Sequence, residues 1–269
     1  MNAYMIITKK KAIMIVTASL LLAGSLAALI LGNGSGLPLI PPRSPQVPYA
    51  RQANLLVLMY HDLSPQPPQD AERIALTTTA EKFSADIDAL LELGYEPISL
   101  EDYYYGLAEA GQKYFVISFD DGYAGIHDLA YPVLLEKQVP ACIFFNTGME
   151  IYDSFLDYGQ LWHMEKSGLI KVYSHLEYHI NATELSIEEF NDYLDTSMTK
   201  LRRFLWEDNK FLAYPYGAYN RKTYRAAHEY GVQLQLTQKM LFPAADVLVR
   251  VNVPYDADMK KLVKKAPHN

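Results

Sequence analysis

The chain alternates short runs of apolar residues with longer segments in which apolar residues recur every three or four positions. The short runs are typical of strands that are buried on both faces, and the longer pattern is typical of amphipathic helices. Their alternation predicts repeated β/α units around a parallel sheet. The predicted strands cover residues 55–59, 96–99, 114–119, 141–145, 169–173, 211–214, 232–236 and 247–253. Seven or eight strands are enough for a closed or nearly closed α/β barrel.

Two of the predicted helices begin with a recognisable capping box. Thr78-x-x-Glu81 and Ser186-x-x-Glu189 each place a hydroxyl and a carboxylate where they can satisfy free backbone N–H groups. Apolar residues follow at helical spacing: Phe83, Ile87, Leu90 and Leu91 in the first helix, and Phe190, Leu194 and Leu201 in the second. These stripes predict core contacts and no functional site.

The composition is that of a globular protein with room for one substantial domain. Of 269 residues, 50% are hydrophobic and 20% are charged. The formal net charge of -7 provides no basic surface, which argues against a nucleic-acid partner. The single cysteine, Cys142, lies in an apolar run and cannot form a disulfide within the chain, so cysteine usage does not indicate a compartment.

The N-terminus predicts a membrane segment. Three lysines at positions 9–11 precede residues 12–31, which are uncharged and numerous enough to span a bilayer as a helix. We therefore predict a cytoplasmic segment over 1–11, a transmembrane signal-anchor over 12–31, a flexible tether over 32–50 and an extracytoplasmic domain over 51–269.

A cleaved signal peptide is the alternative interpretation of the N-terminus. Ser25-Leu26-Ala27 has the small-x-small pattern of a cleavage site, and cleavage there would release a secreted protein. The anchor is favoured because Leu29-Ile30-Leu31 prolong the apolar stretch past that point.

Two motifs that can carry chemistry follow predicted strands. Ser118-Phe119-Asp120-Asp121-Gly122 ends the strand at 114–119, and His175-Leu176-Glu177-Tyr178-His179 follows the strand at 169–173. Alone, the first is a common turn and the second is often an unrelated histidine pair. In α/β barrels, however, catalytic residues collect at the carboxyl ends of strands, so both motifs point to the same rim.

Together the motifs supply two carboxylates and two imidazoles. These suffice to hold one divalent metal ion through three ligands and to leave one carboxylate as a base. Imidazole and carboxylate suit Zn²⁺ first, and also Co²⁺, Ni²⁺ or Fe²⁺. The combination predicts metal-assisted hydrolysis.

Two further segments are expected at this rim. His61 directly follows the first predicted strand, although a lone histidine there is often structural. Tyr214-Pro215-Tyr216-Gly217 ends another strand as a rigid turn whose backbone N–H groups can face a reacting oxygen, although such a turn needs no function.

These motifs resemble the polysaccharide deacetylases of carbohydrate esterase family 4, the NodB-homology fold, over about residues 55–253, with the core motifs in 113–255. The resemblance implies a distorted (β/α)7-type barrel. It implies that Asp120 is the catalytic base and that Asp121, His175 and His179 bind the metal. The third block implies that the N–H of Tyr216 helps to bind the oxyanion.

A histidine after the opening strand resembles the branch that contains poly-β-1,6-N-acetylglucosamine deacetylases. In that branch the general acid comes from the N-terminal strand, which implies His61 here; no late Leu-x-x-His block is present. Two positions depart from the family. Leu176 stands where Ser or Thr is usual, and Tyr214 replaces the arginine that normally orients the base. Arg250 either substitutes for that arginine or pairs with a surface carboxylate.

The sequence thus predicts a metal-dependent hydrolase that removes N-acetyl groups from an extracellular or cell-wall N-acetylglucosamine polysaccharide. The alternatives are a membrane-anchored carbohydrate-binding protein with a decayed site, and a deacetylase of peptidoglycan, chitin oligomers or small acetyl esters. The predicted partners are the glycan and the membrane.

Overall fold

The computed structural model describes residues 54–206 and 210–269. Its strands are β1 (Asn54–Tyr60), β2 (Asp62–Leu63), β3 (Thr77–Thr78), β4 (Glu96–Pro97), β5 (Lys113–Asp121), β6 (Ala141–Phe145), β7 (Ile170–Ser174), β8 (Phe211–Ala213), β9 (Leu234–Thr237), β10 (Val247–Val249) and β11 (Val251–Asn252). Its α-helices are α1 (Ala71–Leu76), α2 (Ala80–Glu92), α3 (Leu100–Tyr104), α4 (Tyr131–Lys137), α5 (Tyr158–Lys166), α6 (Ile187–Leu205), α7 (Arg221–Tyr230) and α8 (Met259–Lys265). A π-helical turn, Ile126–Ala130, precedes α4, and 3₁₀ turns occur at Ala182–Glu184 and Pro215–Gly217.

The strands form a nearly closed parallel barrel. The order of strands in the main sheet is β10-β9-β8-β7-β6-β5-β1-β11, with β4 paired to β5. β10 and β11 lie at opposite ends of this order, yet only Arg250 separates them in the sequence. The predicted α/β barrel is confirmed. The gap between β10 and β11, the two end strands of the sheet, is the seam of the barrel. The predicted single strand at 247–253 is instead two strands, because the chain crosses this seam at Arg250.

Alternate residues of β1 face two different cores. On β1, Leu56 and Leu58 belong to the large cluster shared with the surrounding helices. Leu55 and Val57 belong to a second cluster, which is drawn from β1, from β5 to β10 and from α3 with its flanking residues. This period of two is what a strand that is buried on both faces requires.

Hydrogen bonds from Asn269 connect the strands on the two sides of the seam. The Asn269 N–H donates to the Leu55 carbonyl at 3.0 Å. Its side chain accepts from the Val249 N–H at 2.8 Å and donates to the Val249 carbonyl at 2.9 Å. Asn269 thus links β1 to β10 where the two strands are not paired.

Two local predictions need correction. The N-cap of α2 is Thr79, whose hydroxyl accepts from the Lys82 N–H, because Thr78 belongs to β3. β3 pairs with β2 in a small parallel sheet that the apolar pattern did not indicate. Leu91 is 43% exposed, so it does not extend the buried stripe of α2. The box at Ser186 and Glu189 is confirmed.

The predicted cytoplasmic segment, signal-anchor and tether over 1–50 lie outside the described residues. Among residues 54–206 and 210–269, none of the helices combines the length and the apolar character needed to cross a bilayer.

Candidate active site

The two aspartates at the end of β5 share one cleft because the backbone turns sharply between them. Consecutive residues of a regular strand point to opposite faces. Asp121, however, has a φ of 66° and Gly122 a φ of 86°, both in the left-handed region. The turn is closed by a hydrogen bond of 2.7 Å from the Gly122 N–H to the Asp120 carbonyl. Both carboxylates consequently line the same cleft.

Asp121, His175 and His179 form a compact set of ligand atoms. Asp121 Oδ1 lies 3.6 Å from His175 Nε2 and 3.6 Å from His179 Nε2, and the three ligand atoms lie within 4.8 Å of one another. Asp121 and His175 are buried, whereas the His179 side chain is 34% exposed. The set is therefore closed on the protein side and open toward the cleft, as a catalytic metal site requires.

Hydrogen bonding around His175 fits a metal ligand. Its Nδ1 lies 2.8 Å from the Ala213 carbonyl, so Nδ1–H donates there and Nε2 keeps its lone pair. Among the described residues, the buried atoms His175 Nε2 and Asp121 Oδ1 have no hydrogen-bond partner. Buried polar atoms normally have one, and a divalent cation between these two atoms would satisfy both.

Titration of the ligand set also suits a cation. Burial lowers the pKa of His175 to about 3, although the charge of Asp120 opposes the shift. His175 is thus neutral at neutral pH, as a ligand must be. Burial and the neighbouring Asp120 raise the pKa of Asp121 to about 7. A positive ion beside Asp121 would favour its ionised form.

Asp120 borders this set, with Oδ2 3.7 Å from His175 Nε2, and both of its oxygens are engaged by Arg250. The guanidinium donates from Nη1 to Oδ1 at 2.5 Å and from Nη2 to Oδ2 at 2.6 Å. Burial alone would raise the pKa of Asp120, but Arg250 and the nearby imidazoles lower it to about 2. Asp120 is therefore ionised and its orientation is fixed. The sequence left open whether Arg250 substitutes for the family's arginine or pairs with a surface carboxylate. In the structure Arg250 pairs with the buried Asp120.

His61 lies at the mouth of the barrel beside Asp120. The residue is 9% exposed and lines the same cleft as both aspartates. Burial lowers the pKa of His61. The charge of Asp120 opposes this shift, whereas the charges of Arg250 and His179 add to it. Within the described part of the chain, the buried His61 Nδ1 has no hydrogen-bond partner.

The turn after β8 brings Tyr216 against the ligand His179. Tyr216 has a φ of 60°, and its ring centroid lies 4.2 Å from that of His179 in an edge-on arrangement. The neighbouring Gly217 leaves no room for a side chain, since a Cβ there would lie 2.8 Å from the Gln238 nitrogen. The predicted site residues other than His175 thus line one cleft, and the buried His175 lies 3.6 Å from Asp121 beneath it.

The cleft has a volume of about 510 Å³. Its walls also include residues that the motifs did not indicate: Met59, Leu76, Tyr123, Asn146, Met149, Phe155, Gln238 and Asn252. Of these, Asn146 directly follows the apolar run of β6, so the strand-end rule that located the aspartates also applies to it.

Comparison with known proteins finds that the chain is similar to polysaccharide deacetylases. The sequence profile of the family "Polysaccharide deacetylase" matches residues 108–235. YxkH of Bacillus subtilis (strain 168), a polysaccharide deacetylase by assignment, is 26% identical over 190 residues, which are 70% of this chain. The alignment spans 65% of YxkH, slightly less than two thirds of its length.

Solved structures show the same fold. A deacetylase of Streptococcus pyogenes, PplD, in complex with acetate, superposes with a TM-score of 0.69 at 22% identity over 80% of this chain and 98% of that one. A de-N-acetylase of Aggregatibacter actinomycetemcomitans gives a TM-score of 0.68 at 18% identity over 78% and 99%.

Proposed function

We propose that this chain, which belongs to the polysaccharide deacetylase family, is a metal-dependent hydrolase that removes N-acetyl groups from an N-acetylglucosamine-containing polysaccharide. The observation that carries the proposal is the separation of roles in the cleft. The ligand atoms of Asp121, His175 and His179 converge within 4.8 Å. Asp120 Oδ2 lies 3.7 Å from His175 Nε2, but both oxygens of Asp120 accept hydrogen bonds from Arg250. Asp121, His175 and His179 would hold one divalent ion, with Zn²⁺ the first choice.

A bound divalent ion supplies Lewis acidity to an N-acetyl carbonyl and favours ionisation of a nearby water. Asp120, ionised and oriented, accepts the proton of the attacking water. The Tyr216 N–H donates to the oxygen that becomes negative when the carbonyl carbon is attacked. Protonated His61 gives a proton to the departing nitrogen as the C–N bond breaks, and the proton held by Asp120 then returns to His61 through solvent. One water is consumed, and the products are acetate and a glucosamine unit.

The test is acetate release by the full chain in mild detergent. The substrates are poly-β-1,6-N-acetylglucosamine, chitin oligomers, peptidoglycan and a small acetyl ester, each with and without a chelator. We expect the first glycan to release most acetate, and we expect the chelator to stop release and Zn²⁺ to restore it.

A matched pair of histidine variants completes this test. His175→Ala should lose both bound metal and acetate release, whereas His163→Ala, at an exposed position of α5, should keep both. Glycan binding without acetate release from any substrate would favour the carbohydrate-binding alternative.

Extracytoplasmic location is part of the proposal, because such polysaccharides lie outside the membrane. It is supported by the lysines at 9–11 and the uncharged stretch at 12–31. Protease added to intact protoplasts should digest the domain, and the membrane fraction should hold the full-length chain beforehand. Mature protein in the medium that begins near Ala28 would instead show a cleaved signal.

A further inference from the structure

The loop at 175–179, which carries both ligand histidines, is hydrogen-bonded to the loop at 146–150, which follows β6. The Asn146 side chain donates to the His175 carbonyl at 2.5 Å. The Thr147 N–H donates to the Leu176 carbonyl at 3.3 Å, and the Gly148 N–H donates to the Glu177 carbonyl at 2.7 Å. These contacts align the two loops side by side at the rim of the barrel.

Helix α6 holds this pair of loops at two points on one of its faces. Ser197 Oγ lies 2.8 Å from the Oγ of Ser174, the residue before the first ligand histidine. Lys200, three positions further along the helix and therefore on the same face, reaches the loops beyond that histidine. Its Nζ donates to the Thr147 carbonyl at 3.1 Å and to Glu177 Oε1 at 3.1 Å.

A second carboxylate makes the position of this ammonium group electrostatically important. Glu150 Oε1 lies 3.7 Å from Lys200 Nζ. The side chains of Glu150 and Glu177 are only 21% and 18% exposed, so solvent screens their mutual repulsion poorly. Lys200 is thus the cation between two carboxylates that belong to two different loops.

We propose that Lys200 is a positioning residue for the metal centre: it cross-links the loop at 146–150 to the loop at 175–179 and thereby sets the spacing of His175 and His179. This inference rests on the proposed function, because it assumes that the two histidines bind a metal ion. Lys200 does not touch the ligands; it acts through Thr147 and Glu177. Its loss leaves the partly buried carboxylates of Glu150 and Glu177 without the cation that lies within 4 Å of both.

The experiment measures affinity for Co²⁺ alone, by chelator competition and by the visible absorption of the bound ion, in full-length protein in detergent. Lys200→Met removes the charge and keeps the length of the side chain. We expect the dissociation constant of Co²⁺ to rise about 10-fold or more, the range typical for lost outer-shell partners, with a changed absorption spectrum. Lys200→Arg should recover most of the affinity, and the exposed Lys222→Met should match the wild type.

A second variant keeps the proposal testable if Lys200→Met fails to fold. Glu177→Gln breaks the same bridge from the other side and should also weaken Co²⁺ binding. Combined with Lys200→Met, it should add little further loss, because both changes remove one interaction. Melting of the metal-free proteins should be similar in all these variants.

The outcomes separate the two proposals. If the wild type binds no Co²⁺, the proposed metal site fails, and this inference fails with it. If the wild type binds Co²⁺ and both Lys200→Met and Glu177→Gln match it, the inference alone is overturned. A loss of affinity that Arg does not restore, and that parallels a lower melting temperature of the metal-free protein, assigns Lys200 a merely structural role and also overturns the inference.

Discussion

Arg250 and Asp120, 130 positions apart, are joined by two parallel hydrogen bonds of 2.5 and 2.6 Å at the seam of the barrel. Arg250 is the single residue between β10 and β11, and its side chain is buried. Its Nη1 also lies 3.3 Å from Ser118 Oγ, two residues before Asp120 on β5. The residue that closes the barrel is thus the residue that orients the proposed base.

Replacing Arg250 should damage catalysis through the orientation of Asp120. In Arg250→Lys the charge remains but the two-pronged contact is lost, and we expect kcat to fall about 100-fold, the cost of a misplacement near 1 Å. In Arg250→Met the pKa of Asp120 rises, because burial then acts with less opposing positive charge. The acidic limb of the profile of kcat/KM against pH should therefore move to higher pH.

The measurement is acetate release between pH 4 and 9 by metal-loaded protein, with the exposed Arg225→Met as control. Metal content should stay at the wild-type level. An unchanged acidic limb in Arg250→Met would contradict the role of Arg250 at the base.

Asp120→Asn separates the base from the ligands. The amide keeps the shape of the carboxylate but accepts no proton, and loss of a general base typically costs about 10²- to 10⁴-fold in rate. Elemental analysis should find wild-type metal content, because the ligand atoms belong to Asp121, His175 and His179. Loss of the metal together with activity would make Asp120 a ligand.

His61→Ala should distinguish a general acid from a residue that only shapes the site. Amide hydrolysis needs protonation of the leaving amine, so its rate should fall severely while metal content stays. An acetate ester with a good leaving group needs little such help, and its hydrolysis should suffer much less. Equal damage to both substrates would place the acid elsewhere.

Gly122→Ala should destabilise the fold at the turn that presents the two aspartates. A side chain at a φ of 86° costs about 1–2 kcal/mol, and a Cβ there would lie 2.2 Å from the Phe145 ring, which adds about 1–3 kcal/mol of overpacking. Gly94→Ala is the matched control, since its φ is 77° but a Cβ there has no neighbour within 4 Å among the described residues. Urea unfolding should show the larger loss for Gly122→Ala; equal losses would rule out the clash.

Asp62→Asn should change how stability depends on pH. Burial raises the pKa of Asp62 from 3.8 to about 6, against the opposing effects of the Leu63 backbone and Arg73. The folded state then binds more protons than the unfolded state between about pH 4 and 6. The contribution of Asp62 is therefore full below pH 4 and is lost as the pH rises through 6.

The measurement for Asp62 is urea unfolding at pH 4 and at pH 7. The stability of Asp62→Asn relative to the wild type should increase between these two values. The exposed Asp192→Asn provides the control. A constant difference between Asp62→Asn and the wild type would contradict the raised pKa.

The sequence alone determined the barrel and the chemical groups of the site. Uninterrupted apolar runs such as β5 and β6 have no polar face, so they predicted buried parallel strands with correct positions. Because parallel strands end at one rim, the residues after them were predicted to lie together, and Asp120, Asp121 and His175 do so. Both conclusions rest on local periodicity, which the sequence carries directly.

Only the tertiary structure decided how these groups divide their roles. The alternation of β5 places Val116, Ser118 and Asp120 on one face, but the partner of Asp120 depends on which distant strand closes the barrel. In the sequence, nothing distinguishes Lys200 from other charged residues of a helix. Only the packing of α6 brings Lys200 to the loops that hold the ligands. The period of a strand or helix determines the face on which each side chain lies. The partner of that side chain across the barrel is determined by barrel closure and packing, which bring together residues that no local pattern relates.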